Sequence, residues 1–123
     1  MSSDGIRMRL FGSFQSFQNE ALVWKTFLDD IHEFGREDDT IVIADATNLT
    51  NHYRRYYLEQ TPEFDRHILV VFDASFELCE IRNKRRAAGK IVDDAAMKRL
   101  EDEWEAPSEE AIALFDEFIR VPD

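Results

Sequence analysis

A chain of 123 residues holds one domain, residues 1–123, at the small end of the usual size range. Its 44% hydrophobic and 12% aromatic content suffices for a packed core and excludes global disorder. The formal charge of −11 repels phosphate backbones at long range, excluding nonspecific coating of nucleic acid but leaving room for a local basic pocket around one phosphorylated end.

The first predicted element is a short helix over residues 4–14, with Ile6, Leu10 and Phe14 at helical spacing and Ser3 or Asp4 as its N-cap. Phe17–Phe34 reads as a longer amphipathic helix: Leu22, Val23, Phe27, Leu28, Ile31 and Phe34 make its apolar stripe and Gly35 ends it. Residues 40–45 are short and apolar, the pattern of a parallel strand covered on both faces. A helix over about Asn51–Gln60 follows, closed by Thr61-Pro62. His67–Asp73 is a second buried strand, 75–86 a helix, 87–93 a loop and 93–104 another helix. Glu109–Phe115 predicts a helical turn and Glu117–Val121 a terminal strand. Strands alternating with helices predict a parallel α/β sheet. The single cysteine, Cys79, shares an apolar face with Phe76 and Ile81 and reads as a small core residue in a reducing compartment. No signal segment or membrane-length apolar run occurs, so the expectation is a soluble cytoplasmic protein with no membrane partner.

Three short segments could carry chemistry. In Ser3-Asp4-Gly5-Ile6-Arg7, the acid and the guanidinium lie one turn apart on one helix face. Asp4 could accept a hydroxyl proton while Arg7 grips a phosphate bidentately; the same pair also serves as a cap with a local ion pair. Asp45 ends an apolar strand and opens Asp45-Ala46-Thr47-Asn48-Leu49-Thr50, and in open α/β sheets ligands bind outside the carboxyl ends of strands. Thr47 or Asn48 could equally turn the chain while Thr50 caps the next helix. Arg82-Asn83-Lys84-Arg85-Arg86 is the dense basic run of an acidic chain. Arg82 and Arg86, at i and i+4, can point toward one anion ahead of a lid-like loop, or can neutralise a helix C-terminus. No cluster reads as a metal site.

In this order the segments resemble P-loop kinases of the polynucleotide 5′-hydroxyl kinase type, related to zeta-toxin and other small AAA-like kinases. The matching residues are Ser3-Asp4-x-x-Arg7, Ile43-Ala44-Asp45-Ala46-Thr47-Asn48-Leu49-Thr50, Cys79-x-x-Arg82-Asn83-x-x-Arg86 with Val92, Arg99, Trp104-Glu105-x-Pro107, Glu110 and Phe115-Asp116. The resemblance implies that Asp4 activates the acceptor hydroxyl and Arg7 orients the acceptor phosphate. Asp45, Thr47 and Asn48 would line the acceptor cleft, with Arg82 and Arg86 as catalytic lid arginines over the donor phosphates. Trp104 and Pro107 would pack the lid helix back on the core.

The same resemblance implies ATP and Mg²⁺ as cofactors, yet no Gly-x-x-x-x-Gly-Lys-[Ser/Thr] loop occurs, and Gly5, Gly12, Gly35 and Gly89 are scattered. The expected fold is therefore a partial P-loop NTPase-type parallel sheet flanked by helices, with its first strand and P-loop missing. The isolated chain is expected to be inactive and to bind neither cofactor. In the family the first strand lies between those at 41–45 and 67–73. Without it, the two strands either pair directly or offer open edges for self-association. Three readings follow: a kinase whose start codon lies further upstream, a non-catalytic binding or regulatory module derived from one, and a domain that shares only the fold. The candidate partner is a nucleic-acid end or a small hydroxyl substrate.

Overall fold

The computed structural model describes residues 1–14 and 17–122. They divide into two units, Met1–Thr47 and Asn48–Asp123.

The first unit is built from two helices. Helix α1, Ser3–Phe11, is capped by Ser2, whose extended backbone frees its hydroxyl to accept the Gly5 N–H at 3.0 Å. The cap thus lies one residue before Ser3 and two before Asp4, and the helix ends three residues before Phe14. A Cβ at Gly5 would meet that hydroxyl at 3.0 Å, so the capped turn favours glycine there. At the other end Gly12 takes the left-handed conformation, φ 76°, and donates its N–H to the Met8 carbonyl. Helix α2, Glu20–Phe34, starts three residues later than expected because the Asn19 side chain caps it, accepting the Leu22 N–H. Its buried stripe is narrower than the sequence suggests. Val23, Phe27 and Ile31 are buried with Ile6 of α1, while Leu22 and Phe34 are largely exposed.

The expected buried strand over 40–45 does not form. A strand needs a neighbour along its length, and here, among the described residues, the bridge is a single parallel one between Ser2 and Asp45. Residues 40–44 lie in no sheet, and Ile41 is 89% exposed. Met1, Phe34 and residues 40–43 line a cavity of about 480 Å³ rimmed by Glu33 and Glu37.

The second unit contains α3 (Asn51–Glu59), β1 (Ile68–Phe72), α4 (Phe76–Lys84), α5 (Asp94–Glu103), α6 (Glu109–Ala113) and β2 (Glu117–Val121). Ala88–Lys90 form a short 3-10 turn between α4 and α5. Strands β1 and β2 pair in parallel, Ile68 opposite Glu117 through Phe72 opposite Val121. Asp116 sets this register: its carboxylate accepts the His67 N–H at 2.7 Å while its own N–H donates to the His67 carbonyl at 2.9 Å. Of the unit's apolar side chains, Val71 and Ala111 are buried, whereas Ile68, Val70 and Phe72 present an exposed face. Cys79 is half-buried and Ile81 exposed, so the face they share is not the interior expected of it. Helices α3 and α6 are in contact.

Candidate functional site

Asp4 and Arg7 meet as the helical spacing predicts, with Arg7 Nη1 3.2 Å from Asp4 Oδ1. The Asp4 side chain remains 47% exposed, whereas Arg7 is buried. What holds Arg7 was not visible in the sequence. Its Nε and Nη2 donate to the two carboxylate oxygens of Glu20 at 3.1 and 2.8 Å, a fork-to-fork pair across α1 and α2. Its guanidinium also lies 5.0 Å from the ring centre of Phe17 and 5.6 Å from that of Trp24. The Glu20 hydrogen bonds, reinforced by the charges of Glu20 and Asp4, hold the Arg7 guanidinium above its ordinary pKa despite the opposing effect of burial. The edge expected to grip a phosphate is therefore closed to a second bidentate partner while Glu20 holds it. The one sequence signal was an acid in the first turn of α2, where a carboxylate also suits the helix dipole.

Asp45 is brought to the start of α1 by its backbone. Its N–H donates to the Met1 carbonyl at 3.1 Å, and its carbonyl accepts the Ser3 N–H at 3.2 Å. Asp4, Arg7, Asp45 and Thr47 thus belong to the first unit, with Asp45 and Thr47 exposed. Asn48, Arg82 and Arg86 belong to the second.

Asn48 is half-buried and left-handed, φ 45°, a conformation its short polar side chain tolerates. Two residues on, the Thr50 hydroxyl accepts the Tyr53 N–H and caps α3. Behind this turn lies a polar cluster that sequence reasoning missed. The Glu105 carboxylate accepts the Asn51 N–H at 3.0 Å, and the Glu105 N–H donates to the Leu49 carbonyl at 2.9 Å. The Asn51 side-chain oxygen accepts from Arg54 at 2.9 Å and from the Ser108 N–H at 3.2 Å. Buried Arg54 also donates to the Leu49 carbonyl at 3.1 Å and lies 5.1 Å from the ring centre of Trp104. Desolvation lowers its pKa, offset in part by the charge of Glu105. Trp104 therefore packs on Arg54, in line with a packing role.

Arg82 lies in the last turn of α4 and Arg86 two residues beyond its end at Lys84, so the helical i, i+4 relation expected of them does not extend to Arg86. Both are exposed. Between them Asn83 is buried and clasps the following loop, its Nδ2 donating to the Val92 carbonyl at 2.6 Å and its Oδ1 accepting the Val92 N–H at 3.0 Å.

The four glycines open no phosphate-cradling loop followed by Lys and Ser or Thr, and no group of three or more His, Cys, Asp or Glu able to hold a metal ion occurs among the described residues. The described residues also contain no helix long and apolar enough to cross a membrane.

Six α-helices and a small two-stranded parallel sheet among the described residues make a partial P-loop NTPase-like α/β fold. Residues 1–107 match the family model of an AAA domain, and the chain belongs to that family. The match carries P-loop NTPase-like, nucleotide-binding kinase-like ancestry. No curated protein matches the chain.

Proposed function

We propose that this chain carries the acceptor side of a phosphoryl-transfer enzyme of the polynucleotide 5′-hydroxyl kinase and zeta-toxin type, acting on a hydroxyl such as a nucleic-acid 5′ end. The observation that carries the reading is Asp4: a half-exposed carboxylate in the first turn of α1, aimed by Arg7 3.2 Å away, beside the backbone of Asp45. An exposed carboxylate oxygen within reach of a bound hydroxyl can take its proton, and a fixed guanidinium neighbour orients it. Arg7 acts as a positioning residue as much as a phosphate contact, because Glu20 holds its fork. Thr47 and Asn48 supply hydroxyl and amide groups for the acceptor, and Arg82 and Arg86 supply positive charge for transferred phosphate.

A second reading is a non-catalytic binding or regulatory module derived from such a kinase, favoured by the Glu20 fork that occupies Arg7. One experiment separates them. The coding DNA upstream of the Met1 codon is sequenced, and the longest in-frame protein is assayed for phosphate transfer from ATP to a 5′-hydroxyl oligonucleotide and to small alcohols. Transfer that falls by about a hundredfold or more in Asp4→Asn, the size of a lost general base, supports the kinase. Absence of transfer to every acceptor leaves the binding module.

A further inference from the structure

Helix α3 presents a face that the phosphoryl-transfer residues do not use. From His52 to Tyr57 it reads His-Tyr-Arg-Arg-Tyr-Tyr, a run with two arginines and no acid in a chain of net charge −11. Arg54 turns inward to the Asn51 and Trp104 cluster. Tyr57 is half-buried and four others stay outside: Tyr53 is 52% and Tyr56 38% exposed, and His52 and Arg55 are exposed as well. The rings are not splayed singly into solvent. His52 stands edge-on to Tyr53 at 5.4 Å between ring centres, and Tyr56 edge-on to Tyr57 at 5.4 Å. Arg7, Arg9, Arg36, Arg66 and Arg120 all pair with carboxylates. Arg55 makes no ion pair among the described residues. Glu59 lies one turn further along and sets the acidic limit of the patch.

We propose that this face of α3 is a stacking platform for the bases of a single-stranded nucleic acid, with Tyr53 and Tyr56, one turn apart, taking base faces and Arg55, on the far side of Tyr56 from Tyr53, taking a backbone phosphate. The partner follows from the chemistry. Flat exposed rings favour a ligand with flat faces, and an unpaired cation in an acidic chain favours one that carries negative charge. A duplex hides its base faces within its own stack, whereas a single strand offers both features at once. The overall charge of −11 then works as a filter, opposing bare phosphate chains that bring no stacking. The platform begins two residues after the capping Thr50 and four after Asn48, so a strand lying on it runs away from the turn assigned to the acceptor.

The inference rests on a nucleic-acid acceptor but is tested without catalysis. Fluorescence anisotropy of the 123-residue chain is measured at low salt with a short 3′-labelled oligothymidylate, an abasic oligomer of equal length, and a duplex. The expected result is binding of the oligothymidylate with the abasic strand and the duplex weaker by about fivefold or more, the least a stacked base is worth. Tyr53→Ala and Tyr56→Ala each weaken binding by a similar factor while Tyr53→Phe and Tyr56→Phe retain it, since the ring and not the hydroxyl stacks. Arg55→Gln lowers the salt dependence and leaves the preference over the abasic strand. Equal binding of abasic and normal strands, no binding, or indifference to the alanine changes overturns the proposal. If strands bind through the rings but the longest in-frame protein transfers no phosphate, the kinase reading fails alone. If that protein transfers phosphate and the alanine variants match it in strand affinity, the platform fails alone.

Discussion

The two units are held together by different physics. In the first, an apolar seam of Ile6, Val23, Phe27 and Ile31 joins α1 to α2, and Arg7 and Glu20 stitch its edge. In the second, Val71 and Ala111 supply the buried apolar residues, and side chains tied to distant backbone do most of the fastening: Asn51 and Glu105, Asn83 and Val92, Thr61 and His67, Asp116 and His67. Close packing is forgiving of polar detail but not of lost volume. A polar clasp is the reverse, because removing one partner strands the other without a hydrogen bond.

The largest expected effect tests the apolar seam. Phe27 is fully buried, so Phe27→Ala lowers stability by about 3–5 kcal/mol in urea unfolding. Val71→Ala, the corresponding cut in the second unit, costs about 1.5 kcal/mol. Equal losses would erase the contrast. The next largest effect tests the clasps: Asn83→Ala lowers stability by about 1–2 kcal/mol, because the part-buried Val92 amide and carbonyl lose their hydrogen bonds, and Asn51→Ala by about 1 kcal/mol, because its partners Glu105 and Ser108 are exposed and water replaces it. Hydrogen exchange reads the Asn83 change directly, as the Val92 amide loses protection while amides of α2 keep theirs.

A pH experiment sharpens the comparison further. Burial, with the neighbouring Tyr56 and Tyr53, pushes the Tyr57 hydroxyl from 10.0 up to about 12. The folded form keeps its proton where the unfolded chain has lost it, so this contribution is complete below pH 10 and disappears as pH rises toward 12. Alkaline melts followed by ultraviolet difference spectroscopy show this loss, and Tyr57→Phe removes it. The smallest effect belongs to the Arg120–Asp73 pair, 2.7 Å apart but about half exposed. Asp73→Asn changes stability by less than about 1 kcal/mol, and in high salt by nothing measurable.

Most of the elements were readable because their periods are local. The terminal strand Glu117–Val121 forms over the residues its pattern predicts, and Asp4 and Arg7 meet because a helix places i and i+3 together. The segment over 40–45 was misread for the same reason that it was easy to read: an unbroken apolar run implies cover on both faces, and cover is a property of neighbours. The partners of the site were hidden by distance along the chain. Glu20 is 13 residues from Arg7 and Glu105 is 54 from Asn51, and neither residue type announces its partner. Capping was only half visible, since Ser2, Ser3 and Asp4 are all good caps and backbone geometry decides among them.

The bare segment from Thr40 to Ala44 has a consequence for how this protein behaves when concentrated. Ile41-Val42-Ile43 is β-branched, with Ile41 and Ile43 exposed, a composition that stacks into cross-β fibrils when chains meet edge to edge. Glu37, Asp38 and Asp39 precede it and Asp45 follows, and their mutual repulsion acts as a gatekeeper on either flank. Salt weakens that guard by screening the repulsion. Thioflavin fluorescence should therefore rise with ionic strength, and Ile41→Lys should suppress it.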